Sequence, residues 1–213
     1  MRRIGVGESV LVTDGFGHRA GAVVESVGVG TLRLRIQAIT LERQPDSRFV
    51  LVQALAKGDR AEQAIESATE LGVDVVVPWQ AARSIVIWRG ERAVKSLRKW
   101  ESVVLAATKQ SRRSRVPLVS GLADHAAVID RIESAALALV LHEDAQQPLV
   151  SLALPESGDV VVIVGPEGGV APDELRAFLA AGAVAVRLGS NVLRSSSAGP
   201  AALAVMSAAG RWR

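Results

Sequence analysis

The sequence predicts an α/β protein in which a small antiparallel β module precedes a domain with a mostly parallel sheet. From residue 49 onward, short apolar segments alternate with longer segments of helical periodicity, as in βαβ units. Up to about Ile39, the chain shows short segments of alternating polarity separated by glycine-containing turns, a pattern typical of antiparallel strands. The polar segment 42–48 contains Pro45 and is predicted to link two domains, residues 1–44 and 45–213.

The predicted strands of the N-terminal module are residues 9–13, 20–27 and 31–38. Between the first two, Gly15 to Ala20 fits the dinucleotide-binding pattern G-x-G-x-x-A, but the residues that follow alternate like a strand instead of opening a helix. We therefore predict a hairpin turn, which removes the support for a dinucleotide-dependent oxidoreductase. The module is short for an independent barrel, so it should pack on other parts of the chain or be a shortened form.

The second domain is predicted to begin with a strand at residues 49–54. A helix follows, with Asp59 as its N-cap, Glu62 as the partner in a capping box and Gly72 after its end. The later predicted elements are strands at 73–77 and 84–88, a helix at 91–110, strands at 137–141 and 160–164, a helix from 172 to 182, a strand at 183–188 and a last helix from about 199 to 210.

Composition excludes several classes of protein. The 213 residues are 49% hydrophobic, which is enough for a proper core. Apolar runs are short, and the start Met1-Arg2-Arg3-Ile4-Gly5 lacks the apolar stretch of a secretory signal, so we expect a cytoplasmic protein without a membrane span. The chain has no Cys, and its three His are not at ligand spacing, so we expect no metal site. A G-x-x-x-x-G-K phosphate loop is absent.

Basic residues cluster between Lys95 and Arg115, although the net charge of the whole chain is only +3. Three guanidinium groups, those of Arg112, Arg113 and Arg115, fall just before a proline, where a helix should end. We interpret these three residues as candidate RNA contacts. The alternative is a solvated helix surface, which most charge runs are.

Two glycine-containing turns near the C-terminus indicate one small-molecule site. The first, Gly165-Pro166-Glu167-Gly168-Gly169, follows an apolar β-branched run that predicts a strand buried on both faces. The second runs from Leu188-Gly189 through Leu193-Arg194 to Ala198. Ligands of open α/β sheets bind beyond the carboxyl ends of the strands, so we expect both turns to face one ligand.

Several spaced segments together match one known family. They are Lys57-Gly58-Asp59, Ala68-Thr69-Glu70-Leu71-Gly72-Val73, Gln110-Ser111-Arg112-Arg113-Ser114-Arg115-Val116-Pro117, Leu141-His142-Glu143 and the two turns just described. In this order, over about residues 49–206, the chain resembles the RsmE family of SPOUT-superfamily methyltransferases, which methylate N3 of a uridine in small-subunit (16S) ribosomal RNA. The resemblance implies an α/β domain with a trefoil knot, a PUA-like β-barrel that is shortened here, S-adenosylmethionine as cofactor and a homodimer.

The resemblance also implies which residues bind the cofactor, mainly through their main chain: Leu141, His142, Gly165, Pro166, Glu167, Gly168, Gly169, Leu188, Gly189, Val192, Leu193 and Arg194. Arg194 is the candidate catalytic residue, because a guanidinium group can stabilise negative charge on a uracil carbonyl oxygen when N3 loses its proton. The alternative for Arg194 is a structural ion pair with a carboxylate of the dimer. We expect Glu167 to accept backbone hydrogen bonds instead of acting as a base, and His142 to pack or to bond the backbone.

One departure from the family keeps other functions open. The family reads Thr-Glu-Thr-Ala after Leu-Arg, whereas this chain has Ser195-Ser196-Ser197-Ala198 and so lacks the carboxylate at position 196. A non-catalytic RNA-binding or ribosome-assembly factor with this fold is therefore one alternative. A SPOUT-fold ribose 2′-O-methyltransferase is another, although the Asn-rich motif and early arginine of such enzymes are not found.

Overall fold

The computed structural model describes residues 4–212, which form two compact units. The first unit contains the described residues up to Gln44 together with the segment Arg112–Val116. The second contains Pro45–Ser111 and the residues from Pro117 onward. The segment 112–116 thus groups with the N-terminal strands, although in the sequence it lies inside the predicted second domain. The expectation about a secretory leader rests in part on residues 1–3, which lie outside the described residues.

The first unit is a three-stranded antiparallel sheet with the order β1-β2-β3. Its strands are β1 Ser9–Thr13, β2 His18–Gly28 and β3 Thr31–Leu41. The hairpin turn between β1 and β2 is confirmed: the Asp14 carboxylate accepts the backbone amides of Phe16 (2.7 Å) and His18 (3.2 Å). The Phe16 amide, followed by the His18 ring, holds the pKa of the Asp14 carboxyl below its usual value. This closed turn leaves no helix N-terminus for a dinucleotide.

The second unit is built on a seven-stranded sheet with the order β6-β5-β4-β9-β7-β10-β8, and all of its recorded strand pairs are parallel. The strands are β4 Ser47–Ala54, β5 Val75–Trp79, β6 Leu118–Val119, β7 Leu137–Leu141, β8 Gln147–Pro148, β9 Gly158–Val164 and β10 Val184–Arg187. The helices are α1 Arg60–Glu70, α2 Gly90–Gln110, α3 His125–Ser134, α4 Pro172–Ala180 and α5 Ser195–Ala209, with a 3₁₀ turn at Leu149–Ser151. The predicted α/β class with a mostly parallel sheet is confirmed for this unit.

The central strands β4 and β9 are buried on both faces, so successive side chains enter two different cores. Leu51 lies in a cluster with residues of α1 and α5, whereas Val50 and Val52 lie in a second cluster with residues of α3 and α4. Trp100 of α2 is 1% exposed and packs edge-on against Trp88, so it is a core residue. No helix among residues 4–212 is both long enough and apolar enough to span a bilayer.

The strand predicted at residues 84–88 is wrong, because this segment has no regular structure. Residues 85–88 form an apolar run typical of a strand, but the free edge of β5 is already paired with Leu118–Val119. The Gln80 side chain instead bonds the backbone of this segment. Its amide nitrogen donates to the Val86 carbonyl (3.0 Å), and its oxygen accepts the Trp88 amide (3.2 Å).

Two helix starts also differ from the predictions. The capping box at α1 does not form, since the Asp59 carboxylate accepts a hydrogen bond from the Gln63 side chain (3.1 Å) and Glu62 pairs with Lys99 of α2 (2.7 Å). Helix α5 begins at Ser195 instead of near Gly199. A Cβ at Gly199 would lie 2.9 Å from Leu51, so this glycine lets α5 lie directly on β4, and such packing offsets the hydrogen bond that Pro200 cannot donate.

Candidate active site

The candidate site lies where β9, β7 and β10 end. These three strands are adjacent and parallel, so the loops that follow them meet at one edge of the sheet. A cavity of about 360 Å³ opens there, within the size range of small-molecule sites. A smaller cavity of about 80 Å³ shares Leu141, His142 and Leu193 with it. The structure therefore brings the two predicted turns and the end of β7 together.

The predicted cofactor residues, except one, line these two cavities: Leu141, His142, Gly165, Pro166, Glu167, Gly169, Leu188, Gly189, Val192, Leu193 and Arg194. The exception is Gly168, which lines neither cavity. Its carbonyl accepts a hydrogen bond from Nη1 of Arg83 (2.8 Å), and Arg83 follows β5. Gly168 is thus held from outside the site.

Two glycines in these loops are required by their surroundings or by their backbone. A Cβ at Gly165 would lie 2.9 Å from Cγ2 of Val170 and 3.0 Å from its nitrogen, so no larger residue fits where the chain turns back on itself. Gly189 has φ +133°, a conformation that L side chains rarely adopt. Both positions hold main-chain groups at the cavity wall without a side chain in front of them.

Glu167 connects the glycine turn to the start of α1. Its Oε1 accepts hydrogen bonds from the backbone amide of Lys57 (3.0 Å) and from Nη1 of Arg60 (3.1 Å). Partial burial alone would raise the pKa of the Glu167 carboxyl, but the amides of Glu167 and Lys57 and the Arg60 guanidinium outweigh it and lower the pKa. A carboxylate of lowered pKa with these partners is a weak proton acceptor, so the geometry favours a role in shaping the loop.

The His142 ring is engaged locally. Its Nδ1 accepts the backbone amide of Asp144 (3.2 Å), and its own amide donates to the Val186 carbonyl (3.0 Å). The bond to Nδ1 places the ring hydrogen on Nε2, and the main-chain bond holds the end of β7 against β10. The arrangement is that of a backbone-bonded residue.

Arg194 lies at the N-cap of α5, at the rim of the larger cavity. Its carbonyl accepts the amides of Ser197 and Ala198, both at 2.9 Å, and its side chain is exposed. Next to it, Ser195 is 9% exposed and its hydroxyl has no hydrogen-bond partner among the described residues. The site therefore joins a positively charged side chain, an unpaired hydroxyl and the positive end of a helix dipole.

Sequence reasoning did not name three polar residues of the larger cavity's wall, Arg60, Glu143 and Ser195, as site residues. Arg60 directly follows the matched segment Lys57-Gly58-Asp59, which was the available signal. Ser195 was missed because α5 was predicted to start four residues later, which placed the serine in a loop. The wall also includes Val164, Val170 and Ala198. No group of three or more His, Asp or Glu within the described part of the chain is placed to hold a metal ion.

The three candidate RNA-binding arginines all lie on the segment that belongs to the first unit. Arg115 donates twice to the Glu42 carbonyl (3.1 and 2.7 Å), so its guanidinium ties this segment to the end of β3. Arg112 is exposed, with φ 58°, and its carbonyl accepts a hydrogen bond from Arg19 (2.9 Å). Arg113 is partly buried. The structure places the three side chains on one short stretch, with Arg112 the most open of them.

Most of the chain matches one known protein family. Residues 42–207 match the family model described as an RNA methyltransferase domain. The chain is 46% identical to the ribosomal RNA small subunit methyltransferase E of Mycobacterium bovis, over 100% of this chain and 83% of that protein.

Two solved structures are similar in fold. A ribosomal RNA small subunit methyltransferase E from Neisseria gonorrhoeae, bound to S-adenosyl methionine, superposes with a TM-score of 0.85 at 27% identity, covering 96% of this chain and 84% of that one. A putative methyltransferase from Legionella pneumophila, in complex with the bound cofactor SAM, also gives 0.85 at 28% identity, covering 97% and 85%.

Proposed function

Because the chain belongs to the ribosomal RNA small subunit methyltransferase E family, we propose that it methylates N3 of a uridine in small-subunit (16S) ribosomal RNA, with S-adenosylmethionine as the methyl donor. The observation that carries this proposal is the cavity at the ends of β9, β7 and β10, whose walls are the loops that match the family. The protein is thus an S-adenosylmethionine-dependent methyltransferase.

The residues of the cavity fit this cofactor. Apolar side chains such as Leu141, Val164 and Leu193 offer a surface for an adenine ring, while the main chain of the glycine turns offers donors and acceptors. The unpaired hydroxyl of Ser195 offers one more hydrogen bond. When bound, S-adenosylmethionine supplies a methyl group activated by its sulfonium, so the reaction needs no metal ion.

The chain itself must position the uracil and promote the loss of its N3 proton. We assign the electrostatic part to Arg194, whose exposed guanidinium at the cavity rim can stabilise the negative charge that grows on a uracil oxygen. The alternative role, an ion pair within a dimer, makes a different prediction. Arg194→Ala should lower kcat by about 10²-fold with unchanged cofactor affinity if the residue is catalytic. An unchanged kcat would leave only the structural role.

We assign RNA binding to the first unit, as a PUA-like module that contacts ribosomal RNA through Arg112, Arg113 and Arg115. Its antiparallel sheet and the exposed Arg112 support this assignment. Because Arg115 is already bonded to Glu42, Arg112→Ala should weaken RNA binding more than Arg115→Ala and should reduce its salt dependence.

Family membership further supports a trefoil knot in the second unit, a cytoplasmic location and a homodimer. The rim of the cavity bears exposed apolar side chains, with Val192 77% exposed, which is consistent with coverage by a second copy. Light scattering on the purified protein should give the mass of a dimer, and a monomer would contradict this part of the proposal.

The function is tested by mapping methylated nucleotides in ribosomal RNA. A methyl group on N3 blocks the pairing edge of uracil, so reverse transcriptase stops there. Ribosomal RNA from cells that lack this protein should lose one such stop and regain it on complementation with the wild-type gene.

A control separates the proposed function from its alternatives. Nucleosides of the complemented RNA are digested and identified by mass spectrometry, with the Arg194→Ala variant in parallel. We expect N3-methyluridine that depends on the wild-type protein. A methyl group on a ribose would instead identify a 2′-O-methyltransferase. An unchanged set of stops and nucleosides would identify a non-catalytic factor.

A further inference from the structure

The glycine turn at residues 165–169 needs support from outside. Its three glycines permit many backbone conformations, and a bound cofactor needs one of them. Within the turn, the Gly169 amide donates to the Pro166 carbonyl (2.9 Å). The position of its other main-chain groups depends on contacts with neighbouring parts of the second unit.

One such contact comes from Arg83, in the irregular segment after β5. Its Nη1 donates to the Gly168 carbonyl (2.8 Å), and its Cβ lies 3.5 Å from where a Cβ of Gly168 would be. The side chain thus both packs against the turn and fixes the direction of one peptide group. This explains why Gly168 is the glycine that does not line the cavity.

A second contact comes from Glu174, in the first turn of α4. This carboxylate is 7% exposed. Its Oε1 accepts the Ala82 amide (2.8 Å), and its Oε2 accepts the Ala171 amide (3.1 Å). It therefore joins the segment that carries Arg83 to the residue that starts α4, just after the glycine turn.

These contacts form a brace on the turn, made of Arg83 and Glu174. Arg83 holds the turn at Gly168, and Glu174 holds both Ala82, which precedes Arg83, and Ala171, two residues after the turn. We propose that Arg83 and Glu174 are positioning residues that keep the glycine turn in the conformation that binds S-adenosylmethionine. This proposal rests on the proposed function only in naming that ligand. Neither residue lines the cavity, so both act through the main chain of the turn.

The contacts of the two residues should differ in how strongly they stabilise the turn. Hydrogen bonds to a charged group are among the stronger ones, and those of Glu174 are shielded from water, whereas Arg83 is exposed. When only a fraction of the molecules has the binding conformation, the apparent dissociation constant rises by the inverse of that fraction. We therefore expect the cofactor dissociation constant to rise about tenfold in Glu174→Gln and about threefold in Arg83→Met.

Two measurements test the brace on the full chain. Calorimetric titration with S-adenosylmethionine gives the dissociation constant, and amide hydrogen exchange without cofactor gives the protection of Gly169. Both variants should bind more weakly and exchange faster at Gly169. Asp173→Asn removes a carboxylate from the same helical turn, and Arg89→Met removes an exposed arginine from the same segment, so these controls should match the wild type in both measurements.

The proposal is overturned if both brace variants keep the wild-type cofactor affinity and the wild-type exchange rate at Gly169. It is also overturned if the control variants change in affinity and exchange as much as the brace variants. If Glu174→Gln does not fold, the comparison of Arg83→Met with its control Arg89→Met decides whether the brace exists. A wild-type protein that fails to bind the cofactor would count against the proposed function, and the exchange at Gly169 would then still decide whether the brace exists.

Discussion

In the second unit, strands β4 and β9 are buried on both faces, whereas in the first unit strands β1 to β3 leave many of their apolar side chains exposed. Leu51 of β4 is fully buried, while Leu11 and Ile39 of the first unit are 52% and 65% exposed. Among the described residues of the first unit, Ala22 and Val24 are the buried apolar ones. The first unit instead contains polar contacts, such as the hydrogen bond that the Ser114 hydroxyl donates to Oε2 of Glu42 (2.5 Å).

The difference in burial between the two units favours different roles for them. A dry, close-packed sheet can hold loops at its edge in one arrangement, which a cofactor site needs. A sheet with a small core and many exposed backbone bonds opens more easily, and such parts of a protein adapt to a large partner. This difference supports our proposal that the second unit carries the chemistry and that the first unit binds RNA.

The largest expected effect is on the core of the second unit. Leu51→Ala should lower the free energy of unfolding by about 3 kcal/mol, because it removes a fully buried side chain from beneath α5. Leu32→Ala in the first unit, where the side chain is 43% exposed, should cost less than about 0.5 kcal/mol. Urea unfolding followed by circular dichroism measures the free energy of unfolding of both variants. Equal losses would contradict the difference in packing between the two units.

The next effect is local to the first unit. Ser114 is 1% exposed, and its hydroxyl donates to Glu42 while its carbonyl accepts the Gly17 amide (3.1 Å). Ser114→Ala should weaken this attachment by about 1 kcal/mol, so the Gly17 amide should exchange about fivefold faster. Ser120→Ala, which removes an exposed hydroxyl of the second unit, is the control. Unchanged exchange at Gly17 would show that polar contacts do not hold the first unit.

The smallest effect is a dependence on pH in the second unit. Because the pKa of Glu167 is lowered from its ordinary value of 4.5, the charged form stabilises the fold. This stabilisation is present above pH 4.5 and is lost as the pH falls through the lowered pKa. The NMR shift of the Lys57 amide should therefore titrate with a midpoint below 4.5, and Glu167→Gln should abolish the titration. A midpoint at or above 4.5 would contradict the proposed hydrogen bonds.

The parts of the fold that follow from local pattern were predictable from the sequence. The β-branched run of β9 and the five residues of β7 were placed correctly because each is an apolar run bounded by turn residues. The segment 84–88 has the same local pattern, but its state depends on Leu118–Val119, far away in the sequence, which takes the edge of β5. Pairing of this kind cannot be deduced from one segment alone.

The candidate site shows the same limit. Residues that follow strand ends, such as Gly165 and Gly189, could be named because topology brings strand ends together. Arg83 and Glu174 could not, since their contacts join segments whose approach depends on the final packing. The segment 112–116 was singled out for its charge, but no sequence signal showed that it would join the first unit.

Titration with S-adenosylmethionine tests the central claim most directly, that the cavity of the second unit binds the methyl donor. Gly189 and Gly182 both have positive φ, +133° and +102°, and neither has an atom within 4 Å of an added Cβ. Only Gly189 lines a cavity of the site, the smaller one, which shares Leu141, His142 and Leu193 with the larger one. The wild type should bind S-adenosylmethionine with a micromolar dissociation constant, which corresponds to a binding free energy of about −8 kcal/mol. Gly189→Leu should bind at least tenfold more weakly, and Gly182→Leu should bind like the wild type. Absence of binding by the wild type, or equal affinity of all three proteins, would contradict the account.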